Sequence, residues 1–254
     1  MSSLKAACMC HPGKVRMNNE DNFYFAGVYL KEKNNGLSNI ITISKNSSMT
    51  VCYGVFDGMG GEASGEKAAY IAAKSFAGNI SAKKNGISKQ WLVDACLKMN
   101  EEVCAESQKH DYIRMGSTVA IIGFEEDKAY TCNLGDSKIF LFRNDSLVQL
   151  SYDHTDARIL KEYGIRARKP SLTQHLGIHP SEMILEPYCK EISINSGDKY
   201  LICSDGLTDM VGLNELHKVL NEVEMTEKAV STLQQKALEN GGKDNITIIL
   251  IEVK

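Results

Sequence analysis

Four aspartates lie beside short apolar segments that have the composition of β-strands. Asp57, Asp136 and Asp205 each follow such a segment and adjoin a glycine, and Asp244 precedes the last segment of the chain. A single Asp-Gly pair is typical of a turn, but four strand ends at one edge would bring four carboxylates together. Carboxylates held that close stay ionised only when cations compensate them. Oxygen ligands without His or Cys favour Mg²⁺ or Mn²⁺ over zinc, as in hydrolytic two-metal centres.

A second polar cluster spans residues 13–23. It contains Arg16 and the adjacent carboxylates Glu20 and Asp21. Arginine is the side chain best suited to bidentate phosphate binding. On its own, however, the cluster is more typical of a solvated charged turn.

The elements that must position these side chains alternate between strand-like and helix-like patterns. Apolar, β-branched runs predict strands at Met49–Phe56, Thr118–Phe124, Ala129–Leu134, Lys138–Phe142, Tyr200–Cys203 and Ile246–Val253. Residues 143–146 predict a hairpin turn into a strand over 147–150. Helical periodicity is found at Glu66–Phe76, Trp91–Ser107, Asp156–Tyr163 and Thr226–Glu239. Residues 31–50 predict a long polar loop with a short strand at Ile40–Ser44, and residues 167–187 predict an irregular segment.

Strands outnumber helices, and short turns join several neighbouring strands. This pattern favours antiparallel sheets packed with helices, an α+β fold, over a parallel βαβ series. Neither residues 31–50 nor residues 167–187 have the Gly, Pro and Ser content of an interdomain linker. We therefore expect one domain over residues 1–254.

Composition narrows the class of protein. The chain has 254 residues and a formal net charge of −3, which argues against a broad nucleic-acid-binding surface. No apolar run reaches the roughly 18–20 residues that span a bilayer, and residues 1–10 do not resemble a secretory signal. The eight cysteines contain no CxxC pair and several lie in apolar runs, so we expect reduced, buried thiols in a cytoplasmic protein.

Six motifs then occur in a characteristic order. They are Arg16-Met17-Asn18-Asn19-Glu20-Asp21, Asp57-Gly58-Met59-Gly60-Gly61, Gly116-Ser117-Thr118, Asn133-Leu134-Gly135-Asp136-Ser137, Cys203-Ser204-Asp205-Gly206-Leu207 and Gly242-Lys243-Asp244-Asn245-Ile246-Thr247. In these motifs the chain resembles the protein phosphatase 2C (PPM) family of metal-dependent serine/threonine protein phosphatases, in its compact bacterial form. The resemblance implies an αββα sandwich of two antiparallel sheets flanked by helices.

The resemblance also implies a role for each site residue. Asp57 bridges two Mn²⁺ or Mg²⁺ ions, the Gly58 carbonyl binds one of them, and Asp205 and Asp244 bind the other. Glu20, Asp21 and Asn245 lie behind these ligands or hold metal-bound waters, and Arg16 grips the substrate phosphate. Asp136, with Asp205, matches a third-metal site, although Asp136 is also a plausible turn cap. A hydroxide that bridges the two metals attacks phosphorus without a phospho-enzyme.

The sequence departs from the family pattern at several positions. Met59 replaces the His that animal relatives carry as a proposed general acid, which leaves a metal-bound water or His154 as candidates. Lys138 replaces the usual Arg, which we interpret as a surface or loop-packing change. The loop at residues 31–50 is longer than in compact members. The flap at Ser171–Gly177 lacks the usual Arg-Ala, so substrate preference need not be inherited.

These features predict a phosphatase that acts on phosphoserine and phosphothreonine in proteins. Two alternatives use the same cleft, a phosphohydrolase of small phosphates and a non-catalytic pseudophosphatase that binds phosphoproteins. The resemblance further implies a cognate serine/threonine kinase. We expect a cytoplasmic monomer that binds neither nucleic acid nor a membrane.

Overall fold

The computed structural model describes residues 3–46, 50–60, 64–109, 114–165 and 169–254. The strands are β1 Ser3–His11, β2 Asp21–Phe25, β3 Ile41–Asn46, β4 Val51–Gly60, β5 Met115–Ser117, β6 Val119–Glu125, β7 Lys128–Leu134, β8 Lys138–Arg143, β9 Ser146–Gln149, β10 Tyr188–Ser193, β11 Lys199–Cys203 and β12 Ile246–Val253. The helices are α1 Gly65–Ser81, α2 Lys89–Lys109, α3 Ala157–Glu162, α4 Asp205–Thr208, α5 Leu213–Glu222 and α6 Thr226–Glu239.

The strands form two antiparallel sheets. The first sheet has the order β3-β1-β12-β11-β8-β9, and the second has the order β10-β7-β6-β4-β2, with β5 paired to β4. The central strand β12 is buried along its whole length, as expected for a strand covered on both faces. In the first sheet, β12 pairs with β1, so the last strand in sequence order lies beside the first.

Three apolar clusters show how the layers stack. Alternate residues of β4 point to opposite faces: Val51, Tyr53 and Val55 join the cluster between the two sheets, whereas Cys52 and Phe56 join the cluster under α1 and α2. A third cluster fills the space between the first sheet and helices α5 and α6. Helix, sheet, sheet and helix thus form four layers, which confirms the predicted α+β sandwich.

Strand β4 corrects one sequence-based boundary. We expected this strand to end at Phe56, but it continues to Gly60 because β5 pairs with its extension, Gly58 opposite Ser117. Asp57 therefore lies inside a paired strand and not beyond its end. The residues Met49, Gly61 and Ala167 of the sequence analysis lie outside the described residues.

Several elements were not predicted, namely β1, β2, β5, β10, α4 and α5. Strand β2 starts with two polar residues, Asp21 and Asn22, whose buried side chains form hydrogen bonds with Ser204 and Leu30 outside the strand. Strand β10 is an edge strand without a clear apolar face. Local patterning carries little information about such strands, because tertiary contacts supply their stability.

The remaining predictions describe the chain well. Asn144 and Asp145 have φ values of 50° and 56°, as a tight hairpin between β8 and β9 requires. Strand β3 lies one to two residues beyond the strand expected in the polar loop. Residues 169–187 contain isolated bridges and turns and no regular element. Across the described ranges, no helix is long and apolar enough to cross a bilayer.

Candidate metal centre

The centre of the acidic site is the pair Asp57 and Asp21. These residues are direct partners across the antiparallel strands β4 and β2. Directly opposed residues point to the same face of a sheet, so strand pairing alone brings the two carboxylates together.

The environment of Asp57 shows which acids converge on it. Burial raises the pKa of Asp57 well above its usual range, and the charges of Asp21, Asp205, Asp136 and Asp244 raise it further. Three of these four acids come from segments more than 70 positions away in the sequence. The fold therefore brings the four sequence-predicted aspartates, and Asp21, to one place.

Thr118 holds the backbone of Asp57 through its amide and its hydroxyl group. The Thr118 amide donates to the Asp57 carbonyl oxygen at 2.8 Å, and the Asp57 amide donates to Thr118 Oγ1 at 3.1 Å. Thr118 Oγ1 also lies 2.7 Å from Ser137 Oγ, the side chain next to Asp136. Three of the six motifs thus meet here and link the positions of Asp57 and Asp136.

Gly58 lies where three backbone segments approach each other. Its amide donates to the Glu20 carbonyl oxygen at 3.1 Å. A Cβ at position 58 would collide with the carbonyl oxygens of Gly65 and Glu20. Only glycine fits this position, which leaves the peptide of Gly58 free of side-chain crowding.

Asp21 is buried under the site and is 1 % exposed. Its Oδ2 accepts hydrogen bonds from Ser204 Oγ at 2.8 Å and from Thr247 Oγ1 at 2.6 Å. Burial nevertheless raises the pKa of Asp21 to about 7. Sequence reasoning gave no role to Ser204 and Thr247, although both lie inside the quoted motifs.

Asn245, which directly precedes β12, forms hydrogen bonds with the loop of residues 12–20 that carries Arg16. Its Nδ2 donates to the carbonyl oxygens of Pro12 at 2.8 Å and Asn18 at 3.0 Å. Its Oδ1 accepts from the Glu20 amide at 2.8 Å. The side chain therefore determines where Arg16 and Glu20 lie relative to the aspartates.

The carboxylate of Glu20 lies close to the first turn of α1. A Cβ at Gly65 would approach Glu20 Oε2 to 2.9 Å. Burial and the neighbouring charge of Glu66 raise the pKa of Glu20. Sequence reasoning missed Glu66, whose Oε2 is buried without a hydrogen-bond partner among the described residues.

Two of the aspartates are paired with basic side chains. Arg16 Nη2 lies 2.7 Å from Asp244 Oδ2. Lys169 Nζ lies 2.5 Å from Asp205 Oδ2 and 2.6 Å from Asp209 Oδ2. Lys169 and Asp209 were not singled out in the sequence, and Lys169 lies just before the degenerate flap.

Asp136 lies near Asp205. Burial and the charge of Asp205 raise the pKa of Asp136 to about 6. The nearby Lys138 donates to Asp153 Oδ2 at 2.7 Å and to the Asp136 carbonyl oxygen at 3.3 Å. The Lys at position 138 thus forms an ion pair between the start of β8 and the loop that precedes α3.

His154 has a structural environment. It is 5 % exposed, and its Nδ1 lies 3.2 Å from the donating amide of Gly135. Burial lowers the pKa of His154. Gly135 has a φ of 103° and immediately precedes Asp136, so the His154 ring supports the turn that presents Asp136.

The donor set fits hard divalent cations. Asp21 Oδ1 and Asp205 Oδ1 are buried oxygens without a hydrogen-bond partner in the described part of the chain. Neighbouring acids raise the pKa values of Asp57, Asp21 and Asp136, a repulsion that cations relieve. As they stand, no three of the described His, Cys, Asp or Glu side chains are grouped tightly enough to hold a metal. Arg16 and Lys169 each hold one oxygen of a carboxylate, so metal binding competes with those ion pairs.

Comparisons with known proteins identify relatives of this chain. The family model of protein phosphatase 2C matches residues 40–241. The serine/threonine phosphatase stp of Listeria monocytogenes is 28 % identical over 253 residues, which cover 94 % of this chain and 92 % of that protein.

Two solved structures extend the comparison. The Mycobacterium tuberculosis serine/threonine phosphatase PstP/Ppp superposes with a TM-score of 0.80 at 25 % identity and covers 98 % of both chains. The catalytic domain of PstP in complex with two manganese ions superposes with a TM-score of 0.78 at 26 % identity, covering 100 % of this chain and 99 % of that one. Since the family model matches well over half of the sequence, the chain belongs to the protein phosphatase 2C family.

Proposed function

We propose that this chain is a metal-dependent phosphatase that hydrolyses phosphoserine and phosphothreonine in proteins. The observation that carries the proposal is the convergence of four acids on Asp57, with Arg16 beside them. The relative from Listeria and the PstP structures, which bear the name serine/threonine phosphatase, support the reaction class.

In this proposal, a subset of the converging oxygens binds two Mn²⁺ or Mg²⁺ ions. The ligands are Asp57, the Gly58 carbonyl, Asp205 and Asp244, and a third ion takes Asp136 with Asp205. Bound cations supply positive charge for the phosphate and acidify a water molecule. Glu20, Asp21 and Asn245 support the site from behind.

The chain's own residues bind and orient the substrate. Arg16 is about half exposed, so its guanidinium can turn from Asp244 towards a phosphate group and donate two parallel hydrogen bonds. Its charge then stabilises the equatorial oxygens of the transferring phosphoryl group. Met59 cannot donate a proton, and His154 is buried with a lowered pKa, so we infer that the leaving serine or threonine oxygen takes its proton from water.

The hydrolysis of 4-nitrophenyl phosphate and of a phosphothreonine peptide tests the proposal. We expect turnover with Mn²⁺, none after chelation, and loss of turnover in Asp205→Asn and Asp244→Asn. Asp94→Asn, on the exposed surface of α2, is the matched control. Activity that survives chelation or both substitutions would contradict the two-metal reaction.

The same assay separates the two alternatives. A small-phosphate hydrolase would turn over a nucleotide faster than the phosphopeptide. A pseudophosphatase would bind the phosphopeptide without hydrolysing it, and calorimetry would detect no divalent-metal binding. The intact set of acids favours an active enzyme.

Further parts of the proposal rest on the resemblance to the family. We propose that residues 1–254 act as one catalytic domain, that the protein is a cytoplasmic monomer, and that it opposes a serine/threonine kinase. Light scattering on the purified chain tests the monomer, and a dimer at micromolar concentration would refute it.

A further inference from the structure

Three of the eight cysteines meet between the second sheet and helix α2. Cys132 lies on β7, Cys189 on the edge strand β10 and Cys96 on α2. The Cys132 thiol interacts with both of the others. All eight cysteines lie within the described residues and are free thiols.

The pairing of β10 with β7 gives Cys132 and Cys189 the geometry of a disulfide. The two residues are direct partners in the antiparallel register, so their side chains point to the same face. Directly opposed Cα atoms lie about 4.5 or 5.5 Å apart, depending on the hydrogen-bonding position. Both separations fall within the range of about 4.4–6.8 Å that disulfides span.

The two thiols differ in access and acidity. Cys132 is fully buried, whereas Cys189 is partly exposed and lines a surface pocket of about 520 Å³ with His154, Thr173 and Tyr188. The hydrogen bond from Cys132 and the charge of Lys89 lower the pKa of Cys189. Burial raises the pKa of cysteines elsewhere in the core, such as Cys52 and Cys203. Cys189 therefore combines partial exposure with a lowered pKa, and both favour the oxidation of a thiol.

We propose that Cys189 and Cys132 form an oxidisable thiol pair that a hydroperoxide converts into a disulfide between β10 and β7. The Cys189 thiolate attacks the peroxide O–O bond, which breaks to give a sulfenic acid and, after protonation, water or an alcohol. The Cys132 sulfur then attacks the sulfenic sulfur and displaces its hydroxyl group, which leaves as water with the proton of the Cys132 thiol. Two thiols lose two electrons and two protons, and the peroxide is reduced.

The place of this pair in the fold gives the disulfide a consequence. Strand β10 begins directly after residues 169–187, the segment that carries Lys169 and bonds to β5 through Leu176 and Ser117. A covalent link at Cys189 fastens the end of this segment to the sheet. The closed loop is long, so the oxidised protein should melt about 5 °C or more above the reduced protein.

Thiol mapping of the intact chain tests the pair. The reduced protein is titrated with hydrogen peroxide, the remaining thiols are alkylated, and linked peptides are identified by mass spectrometry. We expect the loss of two of the eight alkylatable thiols, a Cys132–Cys189 cross-link, and full reversal by dithiothreitol.

Three variants make the result specific. Cys189→Ser should abolish the cross-link, whereas Cys96→Ser and the matched control Cys104→Ser should leave it intact. If Cys132→Ser folds, Cys189 should progress to sulfinic acid in the absence of its partner. Unchanged thiols, a Cys96–Cys132 link, a Cys189-linked dimer, or sulfinic acid at Cys189 in the unsubstituted chain would each overturn the proposal.

Discussion

Arg16 and Asp244 form an ion pair across the mouth of the acidic site, with Arg16 Nη2 2.7 Å from Asp244 Oδ2. The two residues are 228 positions apart, and Asn245 holds their loops together. In the proposed reaction Arg16 leaves Asp244 for the substrate, while Asp244 turns to a metal. The opening of this ion pair therefore couples phosphate binding by Arg16 to metal binding by Asp244.

Arg16→Ala should weaken phosphate recognition. A hydrogen bond to a charged group contributes about 1.5–3 kcal/mol, so we expect kcat/KM for 4-nitrophenyl phosphate to fall about ten- to a hundredfold. Lys14→Ala, an exposed neighbour in the same loop, is the control. An unchanged kcat/KM in Arg16→Ala would show that Arg16 serves only its ion pair with Asp244.

Lys169→Gln should bind Mn²⁺ more tightly than the unsubstituted chain. Lys169 is half exposed and holds Asp205 and Asp209, and a pair of this kind contributes up to about 1 kcal/mol. We therefore expect the dissociation constant from calorimetry to fall by up to about fivefold. Lys161→Gln, on the exposed side of α3, should have no effect. Weaker Mn²⁺ binding in Lys169→Gln would mean that Lys169 assists the metal-binding conformation.

Asp57→Asn should stabilise the metal-free protein while removing turnover. The Asp57 carboxyl is surrounded by four other acids, so the amide relieves repulsion that the fold otherwise tolerates. We expect the melting temperature in chelator to rise by a few degrees and the stabilisation by Mn²⁺ to disappear. Asp94→Asn should have the same melting temperature in chelator and the same stabilisation by Mn²⁺ as the unsubstituted chain. A lower melting temperature for Asp57→Asn in chelator would count against mutual repulsion at this site.

The stability of the metal-free protein should fall as the pH rises. The folded-state pKa values of Asp136, about 6, and Asp21, about 7, lie above the ordinary aspartate value near 4. The folded state therefore holds these protons more tightly than the unfolded state. Their contribution is complete below about pH 4 and is lost as the pH rises through 6 and 7.

Denaturant titrations in chelator between about pH 4 and pH 8 measure this trend. Saturating Mn²⁺ should oppose the loss, because cations favour the ionised carboxylates. In Asp136→Asn, the free energy of unfolding should decrease less steeply with pH around pH 6 than in the unsubstituted chain. A free energy of unfolding that rises between pH 5 and pH 7 in chelator would contradict the raised pKa values.

His154→Ala should lower stability without changing the pH dependence of kcat. The substitution leaves the buried amide of Gly135 without its acceptor, at a cost of about 1–3 kcal/mol. Chemical denaturation measures the cost, and the pH profile of 4-nitrophenyl phosphate hydrolysis tests the chemistry. If His154→Ala selectively abolished the decrease in kcat at high pH, which a general acid causes when it loses its proton, His154 would again be a candidate for the general acid.

Much of the architecture follows from local pattern. Apolar periodicity locates most strands and four of the helices, and Asn144 and Asp145 locate a hairpin. Strand β2 was not predicted because Asp21 and Asn22 are polar and their sequence pattern is typical of a turn. Their burial depends on Ser204, Thr247 and Leu30, which lie elsewhere in the chain.

The sequence by itself determined the kind of chemistry, because residue types and motif order point to oxygen ligands, an arginine and a metal-dependent phosphatase. Only the tertiary structure decided which side chains meet. It placed Asp21 opposite Asp57, paired Lys169 with Asp205, and set Cys189 opposite Cys132. These contacts depend on strand register and on loops that close over long distances. Neither of these is encoded in the few residues around each contact, so local pattern could not predict them.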